Sequence, residues 1–111
     1  GKYEAAIERL QKYDGNDAII TPIAIGATGD AYMELNKIDE AIKFYLKAAE
    51  TGNNSFTTPI YLKKAGFAYE QKSNFAEAVN VYERIKKEYP RSAEGKEIDV
   101  DIAKAKATGN I

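Results

Sequence analysis

The chain contains no cysteine, no histidine and no tryptophan, and only one methionine and three prolines in 111 residues. Without thiolate or imidazole, the usual donor sets of structural and catalytic zinc cannot be assembled. Ser-His-Asp and Cys-His nucleophilic catalysis are excluded for the same reason. The lack of cysteine leaves the compartment open, since such a chain tolerates either redox state. An excess of charge is missing too: 16 basic against 17 acidic residues give a net charge of −1. That removes any bulk attraction to nucleic acid or an anionic membrane surface. No apolar run approaches the roughly 20 residues of a membrane-spanning helix. Three prolines and eight glycines are too few for a linker-rich chain.

What is present is a folded composition, 44% apolar and 30% charged, in a length that suits one small domain. It also carries an internal repeat. Thr21-Pro22-Ile23, Gly29-Asp30-Ala31-Tyr32 and Glu40-Ala41-Ile42-Lys43-Phe44-Tyr45 form the first copy. Thr58-Pro59-Ile60, Gly66-Phe67-Ala68-Tyr69 and Glu77-Ala78-Val79-Asn80-Val81-Tyr82 return 37 residues later throughout. A constant period in this range marks units that stack because none can bury its apolar face alone.

The local pattern is helical throughout. Residues 2–13 place Tyr3, Ala6, Ile7, Leu10 and Tyr13 on one helix face. Asp14-Gly15-Asn16-Asp17 predicts a turn with Gly15 as a left-handed stop. Thr21 and Thr58, each followed by proline, predict capped helix starts. The first helix of this kind runs to about residue 35. Asn36-Lys37 turns the chain, and a partner helix follows over about 38–51. In the second copy the helices span 59–72 and 75–88. Asn74 with Glu77 predicts a capping box, and Tyr89-Pro90 a stop. Ser92 caps a last helix reaching about residue 107, with Ile98, Ile102 and Ala105 along one stripe. Nothing sustains a strand-like alternation, so the expected class is all-α, a solenoid of antiparallel helix pairs.

These residues resemble the tetratricopeptide repeat, a pair of antiparallel helices with small residues at fixed places and large ones between. In the first copy Gly29, Ala41 and Ala48 match the small sites, and Tyr32 and Tyr45 the large ones. In the second, Gly66 and Ala78 are small, Tyr69 and Tyr82 large, and Pro90 stands where such units commonly close. Ile85 departs from the third small site, and 37 exceeds the usual period of about 34. Gly1-Lys2-Tyr3-Glu4-Ala5-Ala6 matches the turn and second helix of a further unit. On the resemblance, residues 1–20 are a half-repeat, 21–55 and 56–90 are repeats, 91–108 is a capping helix, and the chain is a piece of a longer protein. More narrowly, Thr21 to Ala27, Gly29 to Leu35 and Phe56 to Leu62 resemble a group of bacterial membrane-anchored repeat proteins similar to the ancillary subunit of the Sec translocon. That likeness implies the extracytoplasmic side of a bacterial membrane, with a cytoplasmic setting as the alternative.

The resemblance implies a function in protein–protein interaction, with the first helix of each unit lining a concave face. The expected partner-binding residues are Ile23, Asp30, Met33, Lys63, Lys64, Phe67 and Glu70, with Gly26, Ala27, Glu34, Ile60 and Gln71 on the same faces. Asp30 stands where a clamp for acidic tails wants Asn, which argues against that ligand class. The expected packing residues are Gly29, Tyr32, Ala41, Tyr45, Gly66, Tyr69, Ala78 and Tyr82. The alternative function is a spacer or self-association module, with a homodimer formed through Ile7 and Leu10 of an uncovered N-terminal half-repeat. No cofactor, metal or nucleic acid is expected, and no direct membrane contact from this segment. Asp14 to Asp17 opens like a cation loop, but Ile19 and Ile25 stand where a calcium loop needs Gly and Glu. Asp39-Glu40 and the Asp99 and Asp101 pair fit helix-dipole or surface roles better than acid–base catalysis. The basic run of Arg84, Lys86, Lys87 and Arg91 is interleaved with Glu83 and Glu88, as on a solvated face. Asn53-Asn54-Ser55 fits a glycan acceptor, idle in a bacterial chain.

Overall fold

The computed structural model describes residues 1–12 and 18–111. Among these, six helices follow one another: α1 (Lys2–Gln11), α2 (Ile20–Glu34), α3 (Ile38–Gly52), α4 (Thr58–Gln71), α5 (Phe75–Glu88) and α6 (Ala93–Gly109). Each packs on its neighbours in the chain, and α4 also touches α6. Short connections make successive helices antiparallel. The result is a slab of 40 × 28 × 16 Å, an all-α helical repeat array. The turn expected over Asp14 to Asp17, and Tyr13 at the end of the first face, lie outside the described residues.

The repeat is visible in the turns. α2 closes with Asn36 in the left-handed region (φ 58°), and α4 closes with Ser73 at the same φ. Lys37 N–H donates to the Tyr32 carbonyl at 2.9 Å, and Asn74 N–H donates to the Tyr69 carbonyl at 2.9 Å. Asn36 and Ser73 likewise close on Met33 and Glu70. These are paired six-to-one and shorter closures that satisfy carbonyls left over at a helix end. The 37-residue period therefore holds in backbone geometry as well as in letters.

The helix starts differ from the sequence expectation. α2 begins at Ile20, so Thr21 and Pro22 lie inside its first turn rather than at the cap. α4 begins at Thr58, with Pro59 second. Thr58 does not cap. Its hydroxyl donates to the Ala49 carbonyl and accepts from Asn54 N–H, both at 2.9 Å. Among the described residues no side chain caps α4; in the turn before it, Asn54 accepts from Phe56 N–H at 2.9 Å and Thr57 N–H at 2.7 Å. Its amide nitrogen reaches the Ala18 carbonyl at 3.2 Å, which ties the segment before α4 to the segment before α2. Asn74 accepts from Glu77 N–H, but Glu77 turns to Asn80 instead of closing the box. Ser92 caps α6 through Gly95 N–H at 2.9 Å.

The core runs lengthwise between the helices. Ala41, Ala48, Leu62, Ala65, Ala78, Ile85, Ile98 and Ala105 are fully buried, with the Tyr45, Tyr61 and Tyr82 rings among them. Ile7 is buried as well, on α1, which packs on α2. This corrects the expectation that Ile7 lacks cover, and with it the basis for a homodimer through that residue.

Candidate functional site

The glycines set how the first helices present themselves. A Cβ on Gly29 would stand 2.8 Å from the Tyr45 ring, and one on Gly66 would fall into the Tyr82 ring. The small sites therefore exist mainly to seat a tyrosine from the following helix. That helix lies close enough for the Ala41 carbonyl to stand 3.3 Å from the same Gly29 position. Ala41 and Ala78 are fully buried. Tyr32 stacks on Phe44, ring centres 5.4 Å apart, and Tyr69 packs half-buried against the core.

With the rings seated on glycine, their hydroxyls emerge on the side of the first helices and meet carboxylates. Tyr45 donates to Asp30 Oδ1 at 2.6 Å, and Tyr82 donates to Glu70 Oε2 at 2.5 Å. The two acids come from different turns, since the repeat partner of Asp30 is Phe67. Burial first, and then the Asp30 carboxylate, push the Tyr45 hydroxyl far above its ordinary range. Burial and Glu70 do the same to Tyr82.

An open cleft of about 690 Å³ lies between α2 and α4, over the Tyr45 hydroxyl. Asp30, Met33 and Glu34 line it from α2, and Lys63, Lys64 and Phe67 from α4. Phe67 is 55% exposed, and Met33 is half-buried against the core. Of the charged members, Asp30 and the two lysines are already engaged. Lys64 Nζ donates to both Asp30 oxygens at 2.9 and 3.1 Å, and lies 5.9 and 6.0 Å from the centres of the Tyr45 and Tyr61 rings. Lys63 turns the other way, 3.6 Å from Asp101 Oδ2 and 4.0 Å from Glu97 on α6. Two adjacent lysines thus staple α4 to both α2 and α6. What the cleft offers a visitor is an apolar patch bounded by fixed charge.

The structure brings Asp30, Met33, Lys63, Lys64 and Phe67 together. It leaves Ile23 and Glu70 out. Ile23, 44% exposed, lines a separate groove of about 480 Å³ with Ala6, Leu10, Ile20, Ala24 and Ala27, between α1 and α2. It sits two helical turns from Asp30, too far along the axis to share the cleft. Glu70 is absent from the cleft lining; one turn further along α4 than Phe67, it accepts the Tyr82 hydroxyl. Gly26 is buried, not a surface position, since the Tyr61 ring occupies the place of its missing Cβ. Tyr61 is the residue sequence reasoning missed. The available signal was Gly26 itself, a helical glycine whose repeat partner is Lys63, which pointed to a contact made in only one unit.

The other candidate chemistry is dispersed among surface contacts. Asp39 pairs with Lys72 at 3.3 Å, and Lys86 with Asp99 at 2.9 Å. Arg84 is held by Glu50 and Glu88, with Glu50 the main cause of its raised pKa. Among the described residues no group of three or more carboxylates could hold a metal ion. Also among them, no helix is long and apolar enough to cross a membrane.

Comparison with known families matches residues 26–51 and 62–92, each to a model described as Tetratricopeptide repeat. The matched segments together cover just over half of the chain and contain the cleft residues of both α2 and α4. No curated protein matches the chain.

Proposed function

The chain belongs to the tetratricopeptide repeat family, whose domains generally mediate protein–protein interactions and are typically non-enzymatic scaffolds, and on that premise we propose that the α2–α4 cleft is a docking site for a segment of a partner protein. The observation that carries this reading is Phe67. It is a large ring more than half exposed at the place where the preceding unit has Asp30, beside Met33 and above a floor fixed by ion pairs. An exposed aromatic anchor in a preorganised concavity has the anatomy of an interaction hot spot.

The test uses a peptide selected from a random library on the intact chain. Phe67→Ala should weaken its binding about thirtyfold, equivalent to roughly 2 kcal/mol. Met33→Ala should cost less, and circular dichroism should stay unchanged in both. Undiminished binding in the Phe67→Ala chain would remove the cleft as the site.

A second reading is self-association, favoured by the apolar groove between α1 and α2, where Ile23 and Ile20 are 44% and 52% exposed. Sedimentation of the wild type and of Ile23→Glu separates the two readings. A dimer lost in the variant supports self-association, and a monomer at high concentration removes it. The residue blocks that resemble bacterial membrane-anchored proteins support an extracytoplasmic setting as part of the proposal. A reporter active only outside the cytoplasm, fused to the full-length protein, should be active on that setting and silent otherwise.

A further inference from the structure

We infer that the segment seated in the α2–α4 cleft is basic as well as apolar: an amphipathic peptide with one large hydrophobic anchor and flanking lysine or arginine. The inference rests on the docking role of the cleft proposed above and adds the chemistry of the occupant.

The argument is one of charge already used and charge left over. Two lysines line the cleft, and the ammonium groups of both have partners. Lys64 is bonded to both oxygens of Asp30, and its charge lies over two tyrosine rings. Lys63 stands between Asp101 and Glu97. An acidic ligand would have to pull one of them away. The carboxylates are in a different position. Glu34 lines the cleft, is exposed, and makes no ion pair among the described residues. Glu97 is 76% exposed and only 4.0 Å from a lysine that stands nearer Asp101.

The cleft lining itself balances two carboxylates, Asp30 and Glu34, against two lysines; Asp101 and Glu97 on α6, beside Lys63, bring the group to −2. The whole chain carries only −1. The exposed Lys104, further along α6, leaves the local balance negative even if counted. Phe67 and Met33 supply the apolar contact. Rim carboxylates of this kind steer and select a cationic segment more than they tighten it.

The experiment titrates the intact chain, labelled with ¹⁵N, with two synthetic peptides. They share the same leucine and phenylalanine anchors, and every lysine of one is glutamate in the other. At low salt the basic peptide should bind about tenfold more tightly than the acidic one. The preference should shrink as ionic strength rises toward a Debye length of about 8 Å. Its shift changes should centre on Met33, Glu34 and Phe67. Replacing both rim acids, Glu34→Gln with Glu97→Gln, should cut the preference several-fold; neither side chain is buried, so the fold is retained. Equal binding, or tighter binding of the acidic peptide, overturns the inference. So does failure of both peptides to enter a cleft that a library-selected ligand does occupy, an outcome that leaves the docking role intact. If no ligand of any charge perturbs the cleft residues, the docking role falls and this inference with it.

Discussion

At the scale of the residue, glycine and tyrosine act as one unit. Tyr45 and Tyr82 are 4% and 2% exposed, and each ring occupies the volume that a side chain on Gly29 or Gly66 would need. Gly66→Ala gains about 0.5–1 kcal/mol in helix propensity but drives a methyl into a buried ring, an overpacking worth about 1–3 kcal/mol. A net loss of about 1–2 kcal/mol in urea denaturation is expected; a gain would show that the ring has room to move. The hydroxyls give a pH signature. The folded-state values of Tyr45 and Tyr82 lie above the ordinary 10.0, through burial first and the neighbouring carboxylate second. Their contribution to stability is therefore complete below that value. It declines as pH rises through it, because the unfolded chain then releases protons that the folded chain retains. The urea midpoint should fall between about pH 9 and 11.5, and the double variant Tyr45→Phe, Tyr82→Phe should show a shallower fall. An unchanged slope would contradict the assignment.

At the scale of the element, what could be read from the sequence was whatever is local and periodic. The small and aromatic sites, the Tyr89-Pro90 stop and the Ser92 cap depend on a few neighbouring residues, and the structure has them where the pattern put them. Contacts that cross units were not legible. Thr58 carries the composition of a cap, yet the side-chain acceptor in the turn before α4 is Asn54, which takes the Thr57 amide and is held by the Ala18 carbonyl 36 residues away. Lys63 and Lys64 are adjacent in sequence and reach opposite helices, a divergence no periodicity encodes. Glu70 belongs to the right face but is captured by a tyrosine of the next helix. The turns supply a test. Ser73 holds φ 58°, a conformation that costs a residue with a Cβ about 1 kcal/mol or more. Ser73→Gly should therefore stabilise the chain by about 0.5–1 kcal/mol after the entropy lost by glycine. A decrease would mean that the serine side chain has a role beyond the turn.

At the scale of the whole molecule, the array is a thin slab in which each helix is held mainly by its neighbours in the chain. Such a body cannot enclose a deep pocket, so its specificity must lie in the side chains that the repeat leaves free to vary. Phe67 against Asp30, and Lys63 against Gly26, are pairs in which the two copies differ in size and charge, and three of these four residues line the cleft. The fourth, Gly26, shows that a departure from the repeat can equally serve packing, here beneath Tyr61. The most direct measurement of the central claim is a ¹H–¹⁵N chemical-shift map of the intact chain with a library-selected peptide. The account predicts changes concentrated at Asp30, Met33, Glu34, Lys63, Lys64 and Phe67, and needing about thirtyfold more peptide in the Phe67→Ala chain. Changes confined to Leu10, Ile20 and Ile23, or surviving that substitution unaltered, would contradict it.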